Sequence, residues 1–353
     1  MHELAWSRGT TTRRIERIPD TGVVYVISDI HLGDGSPSDI FVAKDRQLLA
    51  FLEQVEEEQA TLLIAGDAID FSQAWFFTEV LRAHGKVLGR FSDLAAQGRL
   101  FYILGNHDHD LRLYVDVLRI PVVHGVEIGE HTLVLHGYEF DPVIGKDIEG
   151  AERRTKMHHM VERVLKTWLR LPLEHFYNGW NRFSFWMFHK AVWTRRRTAA
   201  FLDSITGGER RSRALADEIM YWTRGQIGDP ACIFHPACAF LETGPYSTLI
   251  CGHSHLPGQV GLPSGKRYAN TGSWTFTSAV VLRMEGQELS VRDWIRDHEY
   301  TDQLYRPIQD PAFQHITFED WWRDNYMGWL RFRVGEEARH GKLPHLPQNP
   351  EGS

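Results

Sequence analysis

Apolar residues in this chain fall into short unbroken runs separated by stretches that repeat every three or four positions. From Gly22 to Ser28 the run Val-Val-Tyr-Val-Ile is β-branched and apolar on both faces, which predicts a strand buried inside a parallel sheet. Lys44 to Gln59 carries Leu48, Leu49, Phe51, Leu52 and Val55 among charges and predicts a helix. Thr61-Leu-Leu-Ile-Ala predicts a second buried strand, the segment around Val80 to Ala96 a second helix, and Leu100-Phe-Tyr-Ile-Leu a third strand. Each of these strands ends on polar residues: Asp29 and His31, then Gly66 and Asp67, then Gly105, Asn106, His107 and Asp108. The strand and helix alternation predicts a largely parallel sheet with right-handed crossovers, in which ligands gather at the carboxyl ends of the strands.

Further along, Val126 to Gly129 and Thr132 to Leu135 predict a hairpin turning at Glu130-His131, whose second strand delivers His136-Gly137. Ser247-Thr-Leu-Ile-Cys delivers Gly252, His253, Ser254 and His255, and Gly258 to Leu282 with Leu289 to Trp294 alternate like antiparallel strands. The stretch from Gly145 to Asp229 reads as a helical insertion, because Met157, Met160, Val161, Val164, Leu165, Trp168 and Leu169 hold three-four spacing. A helix is expected around Glu319 to Glu337, and the proline-rich polar stretch Gly341 to Ser353 is expected to be disordered. The organisation expected is a catalytic body over 1–144 and 230–300, a helical cap over 145–229 and a helical extension over 301–353.

At 353 residues with 42% hydrophobic and 24% charged residues, the chain can bury a full core and is excluded from the disordered classes. A net charge of −7 argues against a basic nucleic-acid scaffold, and no nucleic-acid partner is expected. Three cysteines, Cys232, Cys238 and Cys251, are too few and too badly spaced for a disulfide framework or a four-cysteine zinc site, which favours a reducing compartment. The arginines near Met1 have no apolar core behind them of the kind a signal peptide needs, and no run approaches the roughly 18 apolar residues of a membrane span. The expected location is the cytoplasm, with peripheral membrane contact as a candidate association.

Taken singly, each strand-end motif is weak; their order is what carries meaning. Asp29-x-His31, Gly66-Asp67-x-x-Asp70, Gly105-Asn106-His107-Asp108, His136-Gly137 and Gly252-His253-x-His255 follow one another, each after an apolar run. This ordered set resembles the calcineurin-like metallophosphoesterase family across the β-rich part of the chain. The resemblance implies an α/β fold, a β-sandwich flanked by helices in an αββα arrangement, here with a helical insertion. It also implies that Asp29, His31 and His255 bind one divalent metal ion, that Asn106, His136 and His253 bind a second, and that Asp67 bridges the two.

Imidazole with carboxylate and amide oxygen is a mixed donor set that suits borderline divalent ions, so Mn is expected, with Fe or Zn as alternatives to it, rather than Ca. A shared carboxylate holds two cations about 3.5 to 4 Å apart, the spacing that clamps attacking and departing oxygens in a phosphoryl displacement, and a bridging water becomes hydroxide near neutral pH. Gly66, Gly105 and Gly252 are read as permitting sharp turns beside the ions. His107 is assigned to the leaving oxygen as proton donor or charge stabiliser, with Asp108 orienting its ring and Asp70 hydrogen-bonding a ligand or ordering the loop. His124 and His235 are rivals to His136, but only His136 ends an apolar strand and precedes a glycine. His158, His159, His175 and His189 fall in the insertion, and Cys251 is read as a small core residue.

Within the family, His136-Gly137-Tyr138-Glu139-Phe140-Asp141-Pro142 resembles the His-Gly-Asp segment of the UDP-2,3-diacylglucosamine diphosphatase branch, where a helical insertion follows too. That branch carries Arg where His107 stands here, so its leaving-group chemistry does not transfer. Asn270-Thr-Gly-Ser-Trp274 recurs among bacterial metallophosphoesterases and is expected beside the site. Between Ala151 and Arg213 there are 14 Lys and Arg against 5 Asp and Glu, a charge of +9 that leaves −16 for the remainder. Between Phe176 and Trp193 eight of 18 residues are aromatic. A cap with its own aromatic core and a solvated Arg face accounts for both; so does a lid for an amphipathic phosphate or an anionic membrane. The expected activity is hydrolysis of a phosphodiester, pyrophosphate or phosphomonoester of a small-molecule or lipid-nucleotide substrate. A phosphoprotein phosphatase is disfavoured because a large cap would hinder a bulky substrate. A catalytically silent scaffold binding another protein is disfavoured by the complete ligand set.

Overall fold

A computed structural model describes residues 2–4, 13–36, 39–41, 43–71, 73–74, 76–141, 144, 179–215, 230–275 and 278–309. Its strands are β1 (His2–Leu4), β2 (Arg13–Ile18), β3 (Val23–Ile27), β4 (Thr61–Ala65), β5 (Leu100–Ile103), β6 (Val122–Val123), β7 (Gly125–Ile128), β8 (Thr132–Val134), β9 (Thr248–Cys251), β10 (Gly258–Gly261), β11 (Arg267–Asn270), β12 (Val280–Glu285), β13 (Glu288–Asp293) and β14 (His298–Glu299). The helices are α1 (Asp45–Glu57), α2 (Phe77–Ala96), α3 (Val115–Leu118), α4 (Gly179–Thr206), α5 (Pro230–Thr243) and α6 (Arg306–Gln309).

The strands form two mixed sheets, in the orders β14-β13-β12-β3-β4-β5-β6 and β1-β2-β7-β8-β9-β11-β10. Parallel pairing of β3 with β4, β4 with β5 and β5 with β6 is the part that the strand and helix alternation predicts. Antiparallel β12 and β13 extend that sheet, so it is less purely parallel than the pattern implies. The predicted hairpin is the antiparallel pair β7 and β8.

Alternation along each strand sets the layers. Val24 and Val26 of β3, Leu63 of β4, Val126 of β7, Val134 of β8 and Ile250 of β9 share one core between the sheets. Tyr25, Ile27, Leu62 and Ile64 point the other way, onto Leu48, Phe51 and Leu52 of α1 and Val87 and Phe91 of α2. Leu133, Leu249 and Cys251 cover the outer face of the second sheet against Ile233, Phe234, Ala237 and Leu241 of α5. The result is the αββα sandwich expected, with Cys251 in the core.

Among the elements that the sequence pattern did not predict, two take part in the layers above. Strand β2 was not expected, because charged Arg13, Arg14, Glu16 and Arg17 leave no alternation to read: Ile15 is buried on the outer face of the sheet and Ile18 between the two sheets. Helix α5 was not expected either, since it contains Pro236 and few polar residues; burial of its apolar face holds it. Helix α4 falls within the range 145–229 read as an insertion. The periodic stretch Met157 to Leu169, the expected helix at Glu319 to Glu337 and the tail from Gly341 lie outside the described residues. Among the described residues no helix is long and apolar enough to cross a membrane.

Candidate metal centre

The carboxyl ends of β3, β4 and β5 in one sheet and of β8 and β9 in the other meet at a single edge, and the predicted polar residues converge there. Three donor clusters result: Asp29 with His31 and His255, Asp67 with His136 and His253, and His31 with Asp70 and His107. Asn106 joins the second, its Oδ1 lying 3.1 Å from His136 Nε2.

To turn back over the sheet edge, the chain takes left-handed backbone at five donor positions, with φ of 51° at Asp29, 56° at His31, 53° at Asp67, 63° at His253 and 55° at His255. Non-glycine residues adopt this region at a cost of order 1–3 kcal/mol each, and such strain clusters where function requires it. Interlocking backbone bonds hold the turns: Asp29 N–H donates to Gly66 O at 3.0 Å, His31 N–H to Asp67 O at 2.9 Å, and Gly252 N–H to His136 O at 2.7 Å. The glycines serve close approach. A Cβ at Gly66 would run into the His136 ring, one at Gly105 into Asp67, and one at Gly252 into Ser28 and Asp29.

The donors are set by neighbours outside the clusters. His136 Nδ1–H donates to Ala65 O at 2.7 Å, leaving Nε2 to face Asp67 Oδ2 at 3.2 Å. His31 Nδ1 contacts Asp70 Oδ2 at 2.9 Å, leaving Nε2 toward His255 Nε2 at 3.4 Å. His253 Nε2 contacts Asp141 Oδ2 at 3.0 Å. Asp29 Oδ2 accepts from Ser28 Oγ and, at 2.9 Å, from His253 N–H. Asp29 Oδ1 is fully buried and accepts no hydrogen bond, although His255 Nε2 stands 3.0 Å away. A buried carboxylate oxygen with the ring nitrogens of His255 at 3.0 Å and His31 at 3.9 Å around it is the arrangement that ligands of a common cation take. The residues present fit a divalent metal on this ground.

Charge balance agrees. Burial would raise the Asp29 carboxyl, but the imidazole of His255 outweighs it and holds the group down to about 2. Burial likewise opposes ionisation of Asp67 and Asp70, and the facing histidines, His136 for Asp67 and His107 for Asp70, pull both below the usual carboxylate range. Burial disfavours the His136 cation, yet the Asp67 carboxylate holds its pKa up to about 10. In the metal-free chain the His136 imidazolium thus balances the Asp67 carboxylate; a cation would displace its proton.

His107 sits at the rim, its side chain 18% exposed, with its ring 4.9 Å from that of His31. The carboxylate on its Nδ1 is Asp70, at 3.2 Å. Asp108 was expected to orient this ring and does not: it turns under the loop to accept from Tyr102 Oη at 2.6 Å, Gly105 N–H at 2.7 Å and Ala68 N–H at 3.2 Å. Adjacent residues in a tight turn project to opposite sides, so Asp108 braces the backbone while Asp70, from the neighbouring strand end, holds the imidazole. Burial and the charge of Asp67 push the Asp108 carboxyl up to about 7.

The rival histidines are placed elsewhere. His124 Nδ1 accepts from Arg14 N–H between strands, and His235 packs on Phe234 in α5. His158, His159 and His175 lie outside the described residues, as does the side chain of His189. The Asn270 to Trp274 loop lies against the site as expected: Trp274 N–H donates to Asp29 O at 3.0 Å, and Thr271 Oγ1 meets Ser28 Oγ at 2.6 Å. Lys44 was missed. Its buried Nζ donates to Trp274 O and Ser278 O, and burial lowers its pKa to about 7.

A two-sheet sandwich flanked by helices, gathering clustered histidines and carboxylates at one edge, defines a metal-site hydrolase class of fold. The calcineurin-like phosphoesterase family model matches residues 22–257, well over half of the chain, and the chain belongs to that family. A stretch of 88 residues is 32% identical to the UDP-2,3-diacylglucosamine hydrolase of Porphyromonas gingivalis, covering 24% of this chain and 32% of that protein. Among solved structures, a dimetal phosphatase from Danio rerio aligns over 77% of this chain and 95% of its own, at 14% identity and a TM-score of 0.40. The cold-active protein tyrosine phosphatase of a Shewanella species aligns over 78% and 79%, at 15% identity and a TM-score of 0.33.

Proposed function

We propose that the protein is a dinuclear metal-dependent phosphoesterase. The observation that carries this is the pair of clusters, Asp29 with His31 and His255 and Asp67 with His136 and His253, packed at one sheet edge with Asn106. The first group would hold one ion and the second, with Asn106, the other; Asp67 is the bridging candidate. Bound divalent ions, Mn first among them, would supply Lewis acidity toward the phosphoryl oxygens and lower the pKa of water. The chain's own residues do the rest. Asp70 accepts from Nδ1–H of His107 and fixes the tautomer, so that Nε2 is the atom that hands a proton to the departing oxygen. Asp70 also receives Gln73 Nε2 at 2.6 Å, which stiffens the dyad.

The substrate we infer is an amphipathic phosphoester or pyrophosphate, nucleotide-linked or lipid-like. Two observations support this reading. One is the partial likeness to a UDP-2,3-diacylglucosamine hydrolase. The other is α4, which presents Trp193, Phe201, Leu202 and Ile205 at 46%, 64%, 41% and 65% exposure, with exposed Lys190 and Arg195 to Arg197 among them. Arg197 lies 4.4 Å over the Trp193 ring. Exposed basic and apolar side chains on one helix suit both an anionic amphiphile and an anionic membrane. The insertion 145–229 then acts as a cap.

Hydrolysis of bis-p-nitrophenyl phosphate, p-nitrophenyl phosphate and UDP-linked sugars with Mn present tests the reading. Chelator-sensitive turnover of one of them is expected, with removal of residues 155–198 sparing the chromogenic esters and abolishing the amphiphile. Turnover unaffected by removal of metal would overturn it.

A further inference from the structure

For two of the ligand histidines the bracing group comes from β4 and the loop that follows it; for His253 it comes from the segment after β8. His136 Nδ1 is held by Ala65 O of β4, and His31 Nδ1 by Asp70 of the loop after it. His253 is held instead by Asp141, which follows a short helical turn at Tyr138–Phe140 and leads into the insertion. The Asp141 side chain is 1% exposed, with Oδ2 at 3.0 Å from His253 Nε2 and Oδ1 accepting Ile144 N–H at 2.9 Å. This carboxylate joins the second cluster to the stem of the insertion.

We propose that Asp141 is the positioning residue for His253, fixing the tautomer through which that ring takes the second metal ion and tying the ion's affinity to the stem of the insertion. The inference rests on the two-ion reading above. A carboxylate beside Nε2 keeps the proton there, because Nε2–H can donate to it. The nitrogen left to bind a cation is Nδ1, whereas His136 and His31 are left with Nε2 free. The His136 and His253 rings stand edge to face at 5.2 Å, so a ring rotation that exchanged the two nitrogens of His253 would cost both the Asp141 bond and this packing. The first cluster does not depend on Asp141: Asp29, His31 and His255 are linked to each other and to Ser28 and Asp70.

Loss of a carboxylate behind a metal-binding histidine lowers metal affinity by about tenfold to 100-fold. Titration of metal-free protein with Mn(II), read by calorimetry and electron paramagnetic resonance, is therefore expected to show two ions in the wild type with a spin-coupled spectrum. Asp141→Asn is expected to bind the first ion unchanged and the second about tenfold to 100-fold more weakly, so that the uncoupled spectrum persists further into the titration. In a His253→Gln background the same substitution is expected to cost nothing more. Equal second-ion affinity in Asp141→Asn and wild type, or equal loss at both ions, would overturn the proposal, and fewer than two ions in the wild type would overturn the two-ion reading instead. Independently of any variant, cadmium-loaded wild-type protein with nitrogen-labelled histidine is expected to show metal coupling at Nδ1 of His253 and Nε2 of His136. Coupling at Nε2 of His253 would refute the assignment even if Asp141→Asn failed to fold.

Discussion

Gly105→Ala is a one-methyl change that the geometry makes severe. Gly105 does not lie in the left-handed region, so its requirement is one of space. A Cβ there would stand 2.6 Å from Asp67 N and 2.7 Å from Asp67 Cγ, and closer still to Oδ1. Ordinary contact begins at 3.4 Å, so the Asp67 backbone must yield by about 0.8 Å and its carboxylate oxygen by more. Asp67 has little room: it is 1% exposed, its Oδ1 accepts His107 N–H at 2.8 Å, and its Oδ2 faces His136 Nε2 at 3.2 Å. Overpacking of this kind costs about 1–3 kcal/mol in stability. The functional cost is larger, since a misplacement of about 1 Å at a reacting centre costs roughly 10²-fold in rate. We expect the variant to melt lower, to bind fewer than two Mn(II) ions at saturation of the wild type, and to lose about 10²-fold in phosphoester turnover. Gly89→Ala in α2 is the control: the site is exposed with nothing within 4 Å, and helix propensity predicts a gain of about 0.5–1 kcal/mol with no change in turnover. Calorimetry, metal titration and p-nitrophenyl phosphate hydrolysis read all three effects. A Gly105→Ala protein with two ions and full turnover would refute the placement of Asp67 between the clusters.

His107→Gln should lower turnover by about 10² to 10⁴-fold with metal content unchanged, and by less for p-nitrophenyl esters, whose leaving group needs little protonation; equal losses on good and poor leaving groups would exclude the acid role. Asp108→Asn, by contrast, should act on stability through the loss of its buried bonds to Tyr102 and Gly105, and a change in leaving-group dependence would put it back beside His107. Away from the centre, His84 lies between Asp39 at 3.3 Å and Asp45 at 2.8 Å; burial opposes its charge, but the two carboxylates raise its pKa from 6.5 to about 9. Stability from a raised histidine is complete below about pH 6.5 and is lost as pH climbs through 9, an effect of order 3 kcal/mol. Denaturant melts of wild type and His84→Gln should therefore converge between those pH values, and parallel curves would show that His84 is not charged.

Most of the candidate ligands were legible in the sequence because they sit one or two residues beyond a short apolar run, where the strand must end and the chain must turn. Asp29, Asp67, Asn106, His136 and His253 are all of this kind. Asp141 is not: it follows a helical turn, and nothing in its spacing marks it as a partner of His253 beyond the neighbouring strand β9. The exchange of roles between Asp70 and Asp108 has the same origin. Sequence adjacency suggested Asp108 for the His107 ring, whereas pairing of β4 with β5 sets Asp70 opposite it. Strand β2 was hidden because it buries only one isoleucine on each face, Ile15 outside and Ile18 between the sheets, and carries charge at the other positions of both. Lys44 was hidden for a different reason, since a lysine at a helix start ordinarily points to solvent and here it is captured by the carbonyls of Trp274 and Ser278.

We propose that two clusters of strand-end residues form one dinuclear hydrolytic centre around Asp67. Elemental analysis of purified wild type and Asp67→Asn, paired with phosphoester turnover before and after chelation, tests it most directly. Two divalent ions per wild-type chain are expected, with turnover lost on chelation and restored by Mn, and with fewer ions and little turnover in Asp67→Asn. Full activity in a metal-free preparation, or two ions and full turnover in Asp67→Asn, would contradict it.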